Sequence, residues 1–118
     1  MNKDDRIALD FLLRTDRELL LIAGGATHQH YKGGLYKLLG PLWSADSGQR
    51  FEVPVNMNEG LYEPVVAYQH LAPNARDVWM RRASEFDGWV EVPDWHPSYT
   101  NHSRIRRFRP IGREWWEA

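Results

Sequence analysis

Turn-forming residues divide most of this chain into short segments, and their spacing constrains the fold more than any other feature. From residue 28 onward, Gly, Pro, Asn and Asp recur between short apolar or alternating runs. Each of these residue types favours turns for its own steric or hydrogen-bonding reason, so their clusters end regular elements. Runs of this length are typical of strands. We predict strands over 30–39, 51–55, 64–71, 77–82 and 89–92. Short strands at such intervals indicate a mainly β fold, a small sheet or barrel rather than βαβ units.

The N-terminal segment has a different pattern, which predicts helix. Leu, Ile and Phe alternate with charged residues over 4–23, and strong helix formers dominate there. Thr15 and Glu18 have the spacing of a capping box, in which each side chain bonds the backbone of the other residue. We therefore expect one kinked helix or two short ones, the second over about 16–23, covering one face or end of the sheet.

The C-terminal segment, 93–118, is rich in aromatic residues and arginine and has no helical or strand periodicity. We predict an extended arm that wraps the domain. Large aromatic side chains left exposed near a terminus favour aggregation. We therefore expect four of them to be mostly buried, against the rest of the chain or in a dimer partner: Trp95, Phe108, Trp115 and Trp116.

Length and composition fit one small domain. With 118 residues, the chain suits a single domain over 1–118, made of a helical cap (1–25), a barrel (28–92) and the C-terminal arm (93–118). Zero cysteines exclude disulfides, thiolate zinc sites and Cys nucleophiles. The 15 basic and 16 acidic residues lack the excess of a general nucleic-acid binder. No secretory signal or membrane-spanning run is visible, and we expect a cytoplasmic protein that does not bind a membrane.

One motif is more specific than composition. The run His30-Tyr31-Lys32-Gly33-Gly34-Leu35-Tyr36, closed by Leu39-Gly40, resembles the opening signature of domain-of-unknown-function family 1653, a family of short bacterial and phage proteins. Val65-Val66-Ala67-Tyr68 is similar to that family's next strand, with one residue added. Trp79-Met80-Arg81 is similar to its following motif, although Arg82 stands where the family has proline.

The resemblance covers about residues 28–92 and implies a small SH3-like β-barrel with no known activity. Residues 50–63 look like an inserted loop or hairpin, and the helical cap and the C-terminal arm lie outside the family core. These additions could carry a specialised function of their own. Gly33 and Gly34 are interpreted as a bulge or sharp bend in a barrel strand, because glycine relieves crowding there.

The favoured function is a non-catalytic binding domain for a small anionic aromatic molecule, most plausibly nucleotide-like. Tyr and Trp can stack on a base, while Arg and Lys bind phosphate. A neutral overall charge with a local basic patch suits a small ligand better than a long polyanion. The candidate contacts are Tyr31, Lys32, Tyr68, Trp79, Arg81 and Arg82.

Other functions remain open. A protein-interaction module would use an SH3-like groove, the 50–63 insertion and the C-terminal arm, and could form a homodimer. Nucleic-acid binding would rest on the arginines of the arm alone. An enzyme is less favoured because no motif orders residues for catalysis, and no cofactor is expected. His28 and His30 have the spacing of metal ligands on one strand face, with His70, His96 or His102 as a third ligand, but a solvent-facing or hydrogen-bonded strand pair is the preferred interpretation.

The density of aromatics in the C-terminal arm generates a stability prediction. Deleting residues 101–118 should lower the melting temperature by several degrees, since losing about 1 kcal/mol shifts a domain of this size by roughly 4–8 °C. Thermal unfolding of the truncated and full chains measures the effect. An unchanged melting curve would assign the aromatics and arginines of the arm to partner binding instead.

Overall fold

The chain forms a mainly β structure with two helices at its N-terminus. A computed structural model describes residues 2–74 and 77–118. Within that part, 37% of residues are strand and 21% helix, which confirms the predicted class. The helices are α1 (Lys3–Leu12), α2 (Asp16–Ile22) and α3 (Ala83–Phe86). The strands are β1 (His28–His30), β2 (Leu35–Pro41), β3 (Glu52–Asn56), β4 (Leu61–Ala72), β5 (Val78–Arg82), β6 (Trp89–Glu91), β7 (Arg104–Arg106) and β8 (Phe108–Pro110).

Capping side chains set the starts of the first two helices. Asn2 accepts a hydrogen bond from the Asp5 amide at the start of α1. Thr15 and Glu18 form the predicted capping box, with the Glu18 amide donating to the Thr15 hydroxyl over 3.2 Å and the Thr15 amide donating to the Glu18 carboxylate over 3.1 Å. Because Thr15 is extended and caps a new helix, the segment is two helices rather than one kinked helix. Among the described helices, not one has the length and apolar character needed to cross a bilayer.

One long strand organises an antiparallel sheet. The order is β3-β4-β2-β1-β8, with β5 also paired to β4, and β6 and β7 form a separate two-stranded sheet. The 12 residues of β4 allow it to pair with β3 through its first part and with β2 and β5 through the rest. Residues 50–63 thereby form a hairpin, as predicted for the insertion.

The sheet does not close into a barrel. Within residues 2–74 and 77–118 it ends at β3 on one side and at β8 on the other, and these two strands are not paired with each other. The C-terminal segment contributes β8, which pairs with β1 through His28 and Pro110. The C-terminal arm is thus partly strand rather than a simple extended wrap. The SH3-like topology implied by the family resemblance stays a prediction.

A glycine turn splits the predicted strand 30–39 into β1 and β2. These strands are antiparallel neighbours, so the glycines form a hairpin turn and not a bulge inside one strand. Gly33 has a φ of +104°, which favours glycine, and a Cβ there would lie 2.5 Å from the carbonyl oxygen of Ala8 on α1. The turn therefore serves both the reversal of the chain and the close approach of the helix.

The aromatic residues of the C-terminal arm are buried only in part. Phe108 and Trp115 are in the core, as predicted. Trp95 is 41% exposed and Trp116 is 42% exposed, so the prediction that the rest of the chain buries them was wrong, and their burial in a dimer partner stays a prediction. Trp116 stacks instead on the His102 ring at the surface, with ring centroids 4.1 Å apart, and this contact covers one ring face only.

A buried arginine joins the C-terminal arm to the helices and the sheet. Arg109 on β8 donates to the Gln29 side chain and to the Arg113 carbonyl, both over 2.8 Å, and pairs with Asp16 of α2 over 2.9 Å. Its guanidinium also lies 5.1 Å from the ring centroid of Trp115. Gln29 is itself fully buried and its amide donates to two backbone carbonyls. Arg109 is therefore the hydrogen-bond donor that the buried Gln29 side-chain oxygen relies on.

We predict that Arg109→Met destabilises the fold by about 2–4 kcal/mol, because the buried Gln29 oxygen and the partly buried Arg113 carbonyl lose their charged donor. The matched control is Arg113→Met, whose side chain is 61% exposed and pairs with Glu117 over 3.7 Å. Such a surface pair contributes about 0–1 kcal/mol. Urea unfolding measures both, and equal losses in the two variants would contradict a structural role for Arg109.

Candidate functional site

Four of the six predicted ligand contacts meet at one shallow concavity on β4 and β5. The β5 concavity, as we call it, has a volume of about 460 Å³. Strand pairing sets its layout, since Trp79 lies opposite Tyr68, Arg81 opposite Val66 and Arg82 opposite Val65. Its lining residues are Val53, Val65, Tyr68, Trp79, Met80, Arg81, Arg82 and Glu85.

The aromatic and cationic side chains of the β5 concavity differ in their exposure and in the contacts they make within the protein. Trp79 is 53% exposed, whereas Tyr68 is buried. Arg81 donates from Nε to the Tyr68 hydroxyl over 3.2 Å and lies 3.6 Å from the Glu85 carboxylate. Arg82 is exposed and forms no ion pair within the described residues. Trp79 and Arg82 therefore present a ring face and a charged donor to solvent, while Arg81 is held in place.

Tyr31 and Lys32 lie away from the β5 concavity. Tyr31 packs against the core cluster that contains Leu12 and Trp115. The Lys32 ammonium lies 5.7 Å from the Tyr31 ring centroid, and Lys32 lines a different groove beside α1. The hairpin turn at Gly33 accounts for this separation, because it turns the start of the motif toward the helix.

An aromatic cluster lies behind the β5 concavity, and the sequence did not predict it. Phe86 and Phe108 stack with centroids 4.4 Å apart, and Tyr68 contacts both rings. His28 packs edge-on against Phe86 and His30 edge-on against Phe108, at centroid distances of 5.0 and 4.8 Å. The two histidines thus share one strand face, and their rings serve packing. No group of three His, Asp or Glu residues that could hold a metal occurs in the part of the chain that the structure describes.

The burial of His30 changes its acid–base behaviour. Desolvation, together with the nearby charges of Lys32, Arg81 and Arg107, lowers the pKa of His30 from 6.5 to about 3. The Lys32 amide donates to His30 Nδ1 over 3.1 Å. The neutral ring therefore carries its proton on Nε2. Burial also lowers the pKa of His96, to about 4.

No family model, curated protein or solved structure matches this chain. Function must therefore be argued from the site. The β5 concavity offers an exposed indole face, a free guanidinium and a second guanidinium that is oriented by a phenol. Such an arrangement can stack on a planar ring and bind an anion.

Because His30 is neutral in the folded chain, we predict that acid lowers the free energy of unfolding. The folded pKa lies below the unfolded value, so the unfolded chain binds more protons between about pH 6.5 and 3. The free energy of unfolding should fall as the pH drops through 6.5, with about 1–2 kcal/mol lost to His30 by pH 5. Urea unfolding of the native chain and of His30→Phe, each at pH 6.5 and at pH 5, isolates this contribution. An NMR titration in which the His30 ring charges near pH 6.5 would contradict the prediction.

Proposed function

We propose that the protein is a non-catalytic binding domain for a nucleotide-like or other anionic aromatic small molecule, held at the β5 concavity. The carrying observation is that an exposed tryptophan, Trp79, shares this concavity with Arg81 and Arg82. The base would stack on the indole, and the two guanidinium groups would bind the phosphate.

The two arginines have different roles in this proposal. Arg81 is held by Tyr68 and Glu85, so it offers a preorganised donor at the centre of the concavity. Arg82 has an exposed side chain and can turn toward a phosphate at the rim. Lys32 and Tyr31 do not line the β5 concavity and have no part in this proposal.

The second candidate is a protein-interaction module, and the exposed apolar surface favours it. On β5, Val78 is 59% and Met80 62% exposed, and on the neighbouring hairpin Tyr62 is 56% exposed. Within the described residues β5 pairs only with β4, so its other edge is open to an added strand. A peptide strand or a second copy of this chain would cover these side chains.

The proposal extends to family and location. The motif from His30 to Gly40 supports the chain being a divergent relative of domain-of-unknown-function family 1653. We also propose a cytoplasmic location, the compartment in which free nucleotides are abundant.

Nucleotide binding is tested by isothermal titration with AMP, ADP and cyclic AMP. We expect Trp79→Ala to weaken binding about tenfold or more, because stacking on an aromatic contributes about 1–3 kcal/mol per base. Arg82→Met should weaken binding by a similar factor, since it removes a charged hydrogen bond. Trp43→Ala is the matched control, because Trp43 is 60% exposed and lies outside the β5 concavity.

Equal binding by the Trp79 and Trp43 variants would contradict this site. If no nucleotide binds, the ligand proposal fails. Sedimentation equilibrium then separates the alternatives, since a dimer that Trp79→Ala dissociates would support the interaction module formed by two copies of the chain.

A further inference from the structure

A second groove lies between α1 and the β1–β2 hairpin, and alternate residues of the sequence motif line it. These residues are His30, Lys32, Gly34 and Tyr36. The α1 groove, as we call it, has a volume of about 420 Å³, which is within the usual range for small-molecule sites, about 300–1,000 Å³. It does not include any of the residues that line the β5 concavity.

Three hydrogen-bond donors in the α1 groove have no protein acceptor within the described part of the chain. The Lys32 amide bonds His30 Nδ1, so the remaining proton of the neutral His30 ring is on Nε2, which makes no hydrogen bond. The Tyr36 hydroxyl and the Lys32 ammonium likewise have no hydrogen-bond or ion-pair partner among residues 2–74 and 77–118. Such a set of donors is suited to an acceptor-rich group such as a carboxylate.

The rings behind these donors are held rigidly. Tyr36 stacks on His70 with centroids 4.7 Å apart, and its edge contacts Phe108 at 5.5 Å. Gly34 permits this arrangement, because a Cβ there would lie 3.1 Å from the Tyr36 ring and 3.2 Å from His70 Nε2. The two ring donors, on His30 and Tyr36, are therefore held in place before any ligand arrives, which reduces the ordering cost of binding.

The remaining walls define the rest of the ligand. Ile7, Ala8 and Phe11 of α1 and Pro73 after β4 line the α1 groove with apolar groups. Asp4 also lines it and places one negative charge there, which opposes a ligand with several negative charges such as a polyphosphate. A single carboxylate on a compact apolar body meets both conditions.

We propose that the α1 groove binds a small monocarboxylate with an aromatic or branched apolar body. The carboxylate accepts hydrogen bonds from His30 Nε2, the Tyr36 hydroxyl and the Lys32 ammonium, and the apolar body packs against α1. This site is independent of nucleotide binding at the β5 concavity and can be tested whether or not that proposal holds.

Benzoate is the probe, and benzamide, which has the same shape without the charge, is the matched control ligand. Binding is followed by chemical-shift changes in two-dimensional NMR spectra of the full chain. We expect benzoate to bind with a millimolar or better dissociation constant, as its size allows, and benzamide at least about tenfold more weakly. The largest shifts should occur at residues 30–36 and in α1.

Two conservative variants test the donors. Tyr36→Phe keeps the ring that stacks on His70 but removes the hydroxyl, and Lys32→Met keeps the side-chain length but removes the charge. Each should weaken benzoate binding about tenfold and benzamide binding by a smaller factor, because hydrogen bonds to the charged carboxylate are stronger than those to the amide carbonyl. Lys37→Met, a neighbouring lysine on β2 that does not line the groove, should leave both unchanged.

The NMR spectrum of each variant also reports whether it is folded. Equal binding of benzoate and benzamide, equal effects of Lys32→Met and Lys37→Met, or no shifts up to about 10 mM benzoate would each overturn the proposal. Trp79→Ala should not change benzoate binding. A loss in that variant would place the carboxylate at the β5 concavity and contradict the α1 groove.

Discussion

The contacts of one buried guanidinium hold the helices, the sheet and the C-terminal segment in register. Arg109 reaches Asp16, Gln29 and the Arg113 carbonyl, which belong to three separate parts of the chain. A guanidinium can do this because its five donors point outward in one plane. Arg109 lies on β8, and the pairing of β8 with β1 also places Phe108 opposite His30. The aromatic cluster, and with it the wall of each concavity, therefore depends on this contact.

Elements that depend on near neighbours could be predicted from sequence, and those that depend on distant partners could not. The Thr15 capping box is local, and it is present. The pairing of β1 with β8 joins His28 to Pro110, and no local pattern encodes that choice. The hairpin at Gly33 likewise follows from contact with Ala8, far earlier in the chain. A glycine pair alone fits a bulge equally well.

The same limit applies to the candidate sites. Trp79 and Arg81 are two residues apart on one strand, so their common face could be predicted, and pairing with β4 brings in Tyr68. His70 could not be connected with Tyr36 in this way, because their contact requires the register of β2 against β4. Alternation along the motif was the available signal for the α1 groove. A strand over 30–39 places these alternate residues on one face, but no local pattern shows that α1 lies beside that face to form a groove.

The two concavities share a wall, which gives the aromatic cluster a role beyond stability. Tyr36 lines the α1 groove and Tyr68 lines the β5 concavity, and their rings are 5.5 Å apart with Phe108 in contact with both. Closely packed rings transmit displacement because they have little free volume. Arg81, bonded to the Tyr68 hydroxyl and lying over Phe108, adds a polar link to the same wall. The packing of Tyr36, Tyr68 and Phe108 therefore supports the walls of both concavities.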